Sequence, residues 1–127
     1  MKIVGTGSCL PQRVVSNDDL AAIMDTSDEW ISSRTGIRNR HIATTETTTS
    51  LACDAVKSAL QDAGIDGSEI ELIIAASVST DKIVPSLACQ IQAEIGAEGA
   101  VAFDINAACS GFLFGLATAD AYFKTGR

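Results

Sequence analysis

The stretch "FDINAACSGF", Phe103 to Phe112, decides how the chain is read. An apolar run ends in two alanines, a cysteine, a serine and a glycine, and the apolar spacing beyond it turns helical. A strand running into a helix in this way belongs to a layered α/β fold, and it leaves Cys109 at the junction. Free N–H groups and the macrodipole at a helix N-terminus stabilise an anion, so a thiol placed there favours the thiolate, its reactive form. The small neighbours Ala107, Ala108, Ser110 and Gly111 leave room for a substrate chain, and the same N–H groups can help to bind an oxyanion. Position alone also fits a small buried hydrophobe, the usual role of a free cysteine.

Outward from this corner, strand-like and helix-like segments alternate, which predicts an α/β fold with a mostly parallel sheet. Upstream of "VAFDIN", Pro85 and Ser86 open a helix with the stripe Leu87, Ala88, Ile91 and Ile95, stopped by Gly96. "DGSEIELIIAAS" gives a cap-like turn and a buried strand, Leu72 to Ser77. "LACDAVKSALQDAG" is a helix ended by Gly64, with Leu51, Ala52, Ala55, Val56, Ala59, Leu60 and Ala63 on one face. Small residues dominate that face, so a neighbour can pack very close. The polar "TTETTTS" reads as a loop. Ser16 and Asp19 form a capping box, and "TSDEWISSRTGI" is a second short helix capped by Thr26 or Ser27 and ended by Gly36. "KIVGTGSCL" reads as the first strand, with Gly5 and Gly7 where backbone comes close. The last helix is expected from about Ser110 to Lys124, with Phe112, Leu113, Leu116, Ala119 and Phe123 toward the core.

No internal repeat and no domain linker is visible. The chain stops at "YFKTGR", where the alternation leads toward another strand. Three parallel strands with helices on both faces would leave an open edge and uncovered apolar surface. The sequence therefore reads as part of a longer protein, with Arg127 a plausible site of trypsin-like cleavage.

The 127 residues are nearly half apolar, enough for a real core. A formal net charge of −7 argues against general binding to nucleic acid or anionic membrane, while leaving room for a local basic site. No apolar run reaches membrane-spanning length, and Met1-Lys2-Ile3-Val4 leads into a strand pattern without a signal peptide. Cys9, Cys53, Cys89 and Cys109 form no C-x-x-C pair and His41 is the sole histidine, so no metal site is expected. A disulfide framework is not expected either, and the composition fits a reduced, cytosolic protein.

Cys53 and Cys89 fall inside amphipathic helices and Cys9 follows a glycine-rich turn, so each reads as packing. A Cys–His pair would complete a nucleophile and its base, but nothing in the spacing sets His41 beside Cys109. Arg34, Arg38 and Arg40 crowd into seven residues of an acidic chain. They can hold phosphates, with Trp30 as a face for a planar base, or form a solvated basic surface paired with nearby acids.

The segments "DTSDEWISSRTGIRNRHIA", "PSLACQIQ" and "AFDINAACSGF", with the opening "KIVGTGSCLP", closely resemble β-ketoacyl-acyl carrier protein synthase III, a condensing-enzyme family of the thiolase superfamily. The resemblance runs along essentially the whole chain. It implies the incomplete N-terminal half of a thiolase-like α-β-α-β-α layered fold, with residues 1–127 carrying the nucleophile and the C-terminal half absent. By the motif match, Cys109 is acylated by a short acyl-coenzyme A, then condensed with malonyl-acyl carrier protein to a 3-ketoacyl product with release of carbon dioxide.

The same match gives Trp30 and Arg34, with Thr26 in the same motif, to the adenine end of coenzyme A. Val84 falls where the family projects a residue across a dimer interface into the acyl pocket, and a valine there suggests a pocket less restricted to acetyl. The coenzyme A thioester is substrate, and no cofactor is implied. The histidine and asparagine that support decarboxylation lie in the family's second half, so this chain alone is expected to be inactive. A homodimer through "VAFDIN" is implied, with Arg34, Arg38, Arg40 and Lys82 as contributors to carrier-protein docking. The alternative is a non-catalytic half-synthase that binds coenzyme A or a partner synthase.

Overall fold

The computed structural model describes residues 2–126; the cleavage site suggested at Arg127 lies outside them. The chain forms two compact units, one of Met1–Cys9 with Thr47–Arg127 and the other of Leu10–Glu46.

In the larger unit, helix α3 (Thr48–Ala63) leads through a 3-10 turn, Gly67–Glu69, to strand β3 (Leu72–Ala76). Helix α4 (Leu87–Ile95) then crosses over to β4 (Val101–Ile105), and α5 (Gly111–Thr125) closes the order. β3 and β4 pair in parallel, with Leu72 opposite Val101 and Ala76 opposite Ile105. Alternation along β3 divides its side chains between two faces. Ile73 and Ala75 meet α3 and α4 in a core with Cys53, Leu87, Ala88 and Ile91. On the other face, Leu72, Ile74 and Ala76 meet α5 through Gly115, Leu116 and Ala119. Phe103 of β4 stacks at a tilt on Tyr122 of α5, with ring centroids 6.1 Å apart.

Helix ends follow the residues that favour them. Thr47 caps α3 in a capping box with Ser50, so α3 begins inside the threonine-rich run that reads as a loop. Ser86 caps α4, and Gly64 and Gly96 end α3 and α4 in the left-handed conformation. The carboxylate of Asp104 on β4 adds to the start of α4, accepting the N–H of Leu87 at 2.8 Å and of Ala88 at 2.7 Å.

Two expectations for this unit need correction. Residues 2–9 form no strand and pair with none among the described residues. Instead they lie against α3. A Cβ on Gly5 would come 2.7 Å from Ala59 O, one on Gly7 would strike Ala55 O, and Thr6 N donates to Asp62 Oδ2 at 2.9 Å. The small face of α3 is filled by this backbone, not by a neighbouring side chain. On α5, Phe112, Leu113 and Phe123 are 70, 67 and 73% exposed, not core. The helix is apolar nearly all round while the sheet covers one side of it, so these side chains form an apolar surface.

The smaller unit holds β1 (Arg13–Ser16), α1 (Asn17–Ala21), α2 (Asp28–Thr35) and β2 (Asn39–Ile42). β1 and β2 are antiparallel, with Val14 opposite His41 and Val15 opposite Arg40. Both are four residues long and β2 is largely polar, which is why the stretch around His41 reads as loop; the pairing is set across some 25 residues of chain. The Ser16–Asp19 capping box forms as expected. Ser27 rather than Thr26 caps α2, its hydroxyl accepting the N–H of Trp30 at 3.1 Å.

Candidate active site

The end of β4 and the start of α5 carry the cysteine. The chain leaves Ile105, makes a 3-10 turn over Ala108–Ser110, and enters α5 at Gly111. Gly111 is buried, and a Cβ on it would lie 3.0 Å from the Cβ of Ala76, so a side chain there would crowd the start of α5 against β3. The turn before it is tight. Ala108 has φ 44°, the single left-handed non-glycine residue among those described, and it directly precedes the cysteine. Cys109 itself is exposed, whereas Cys53 is buried and Cys9 and Cys89 are half-buried. Burial raises the thiol pKa of Cys53, which suits a packing role. An apolar groove of about 240 Å³ between β3 and α5 includes Gly111 and Phe112, which follow Cys109 along the chain, in its lining.

Val84 lies in the segment between β3 and α4 and is 83% exposed, beside Ile83 at 91%. Its peptide bond to Pro85 is cis. Both side chains are available to a ligand or a partner.

In the smaller unit, α2 brings Trp30 and Arg34 together, one turn apart. The Arg34 guanidinium carbon sits 4.5 Å from the centre of the Trp30 ring, and its Nη1 donates to Trp30 O at 3.2 Å. Trp30 remains about half exposed. A pocket of about 340 Å³ beside it is lined by Asp25, Thr26, Ser27 and Trp30, so Thr26 joins the indole at one site. The spacing thus assembles an aromatic face, a cation and a hydroxyl.

The rest of the basic cluster is divided. Arg38 pairs with Asp28 at 3.6 Å and stays exposed. Arg40 is spent internally, donating to Val15 O at 2.9 Å and to Asn17 Oδ1. It is structural and not a free cation for phosphate or carrier protein. His41 Nδ1 lies 2.6 Å from Pro11 O, which ties the ring to a backbone carbonyl of its own unit.

Sequence reading missed the left-handed backbone of Ala108 and the burial of Asn17. Asn17 is 1% exposed, yet "SNDDL" signals only a helix cap, and the long-range partners of its amide leave no local trace. No group of three His, Cys, Asp or Glu side chains among the described residues is arranged to hold a metal ion, and no helix there is long and apolar enough to cross a membrane.

Comparison with known proteins meets this geometry at the same corner. Residues 103–127 match the family model for 3-oxoacyl-[acyl-carrier-protein (ACP)] synthase III. The β-ketoacyl-[acyl-carrier-protein] synthase III of Streptococcus sanguinis is 52% identical over 126 residues, which are 99% of this chain and 39% of that protein. The crystal structure of the Aquifex aeolicus 3-oxoacyl-[acyl-carrier-protein] synthase III superposes with a TM-score of 0.94 at 51% identity, over 98% of this chain and 41% of that one. A priming β-ketosynthase from a polyketide biosynthetic pathway superposes at 0.90 with 38% identity, over 95% of this chain and 36% of its own. The chain thus spans about two fifths of the length of the proteins it matches. With its α/β architecture, parallel strands and cysteine corner, the chain is similar to an N-terminal portion of the 3-oxoacyl-[acyl-carrier-protein] synthase III proteins it matches.

Proposed function

We propose that this chain is the nucleophile-bearing part of a condensing acyltransferase that starts fatty acid synthesis in the cytoplasm. The observation that carries the reading is the exposed thiol of Cys109 at the strand-to-helix corner, in the segment that matches the family model. The Cys109 thiolate attacks the carbonyl of a short acyl-coenzyme A, coenzyme A leaves as the thiolate and takes a proton from solvent, and the acyl group remains on Sγ. Malonyl-acyl carrier protein then loses carbon dioxide. The resulting carbanion attacks the acyl thioester, forming the carbon–carbon bond of a 3-ketoacyl-carrier protein and returning Cys109 to its thiolate.

In this reading Trp30 stacks on the adenine end of coenzyme A, while Arg34 and Thr26 meet its polar groups. Val84 lines the acyl pocket of a partner subunit in a homodimer joined along β4. The coenzyme A thioester is substrate, and no cofactor takes part. Residues 1–127 form a partial thiolase-like domain, and the groups that support decarboxylation belong to a C-terminal half that packs on the exposed face of α5. A non-catalytic module that binds coenzyme A or a partner synthase would keep the Trp30–Arg34 pair but gains nothing from an exposed thiol.

The test is a chimera in which this chain replaces the matching segment of the Aquifex aeolicus synthase. Given acetyl-coenzyme A and malonyl-acyl carrier protein, it should form the 3-ketoacyl product, Cys109→Ala should abolish that product, and the 127-residue chain alone should form none. A folded chimera indifferent to Cys109→Ala, or product from the isolated chain, would refute the assignment.

A further inference from the structure

We propose that Asn17 is a positioning residue for Trp30 and Arg34; the proposal rests on reading that pair as the seat of the nucleotide end of coenzyme A. The helix that carries the pair is poorly anchored by ordinary means. None of the eight residues of α2 is fully buried, and half-buried Ile31 is its one apolar side chain turned from solvent, so apolar packing holds the helix weakly. Ser27 and Gly36 determine where the helix starts and stops, not where it sits.

One buried amide supplies the anchor. The side chain of Asn17 is 1% exposed, and its Nδ2 donates to Asp28 Oδ1 at 2.8 Å and to Ile37 O at 2.8 Å. Asp28 is the first residue of α2, and Ile37 follows the Gly36 that ends it. A single amide therefore grips both ends of the helix. The grip is itself held. Asn17 Oδ1 accepts from Arg40, whose other nitrogen donates to Val15 O of β1, and the Asn17 N–H donates to Arg38 O at 3.1 Å. Arg38 also pairs with Asp28.

The amide's donors and acceptor are thus all matched in a place that water does not reach. Loss of the grip frees α2 to turn about its axis, and the direction of the indole turns with it. A buried polar network in this position specifies orientation where hydrophobic contact does not.

Trp30 is the only tryptophan, so emission excited at wavelengths that Tyr122 does not absorb reports on α2 alone. Three variants are compared with the wild-type chain well below their melting temperatures. Asn17→Ala removes the amide. Asn17→Asp keeps its shape but sets a carboxylate against Asp28 and the Ile37 carbonyl. Asn17→Asp with Asp28→Asn restores a donor–acceptor pair at the start of the helix.

The probe is adenosine 3′,5′-bisphosphate, followed by Trp30 emission, with acrylamide quenching measured in its absence. Both single variants should weaken the nucleotide about tenfold and increase quenching, and the double variant should recover toward wild type. The rate of Cys109 alkylation, which reads the other unit, should not change.

Variants that melt earlier but keep wild-type affinity and wild-type quenching would show a merely structural role and overturn the proposal. If Asn17→Ala does not fold, Asn17→Asp and its double variant decide the same question. Absence of nucleotide binding by the wild-type chain would refute the coenzyme A reading, while the quenching comparison would still decide whether Asn17 positions Trp30.

Discussion

Two residues flank the chemistry at Cys109 without taking part in it. Ala108 holds a left-handed backbone, a conformation that costs a residue with a Cβ about 1–2 kcal/mol. Such strain persists only where the surroundings enforce it, and Ala108 stands three residues before Gly111, which lies close against Ala76. In the smaller unit, the carboxyl of Glu46 is held at about 2, against an ordinary 4.5, by the N–H groups of Gln12, Thr44, Glu46 itself and Thr45. A folded value below the unfolded one gives stabilisation that is complete above the unfolded value. It is lost as pH falls from 4.5 toward about 2. The urea midpoint should therefore drop across that window, and Glu46→Gln should flatten the drop. Asp19, Asp66 and Asp81, also held low by hydrogen bonds to Ser16, Ser68 and Thr49, keep it from vanishing. An identical pH profile in the variant would contradict this. Cys109 and Trp30 were legible as residue types in recognisable spacing. Ala108, Asn17 and the internal role of Arg40 were not, because a backbone angle or a partner twenty residues away leaves no local pattern.

Among elements, α4 depends on its neighbour strand as much as on its own sequence. Asp104 reaches from β4 to the first two N–H groups of α4, and charge-assisted bonds of this kind contribute about 1.5–3 kcal/mol each. Asp104→Ala should destabilise the larger unit by roughly 2 kcal/mol in urea unfolding, allowing for water that replaces part of the lost bonding. A change below about 0.5 kcal/mol would mean that Ser86 caps α4 unaided. Helix ends were the most legible features, since Ser86, Gly64, Gly96 and the Ser16–Asp19 box are local signals. Strands were legible only where burial made them apolar, as in β3 and β4. β1 and β2 exist through pairing with each other, and residues 2–9, apolar and glycine-bearing, fail to form a strand because no neighbour pairs with them among the described residues.

For the whole molecule, the two units divide the proposed labour: one carries the thiol and Val84, the other Trp30, Arg34 and Thr26. The exposed rings of α5 and the span of two fifths of its relatives fit a portion of a larger synthase. Within the chain, the central claim is that Cys109 is the residue that takes the acyl group. Denaturing intact-mass spectrometry with peptide mapping, before and after brief exposure to acetyl-coenzyme A, tests it most directly. One acetyl group is expected, on Cys109, and it should disappear in Cys109→Ala while Cys9, Cys53 and Cys89 stay unmodified. An unmodified chain, or acetyl carried by another cysteine, would contradict it.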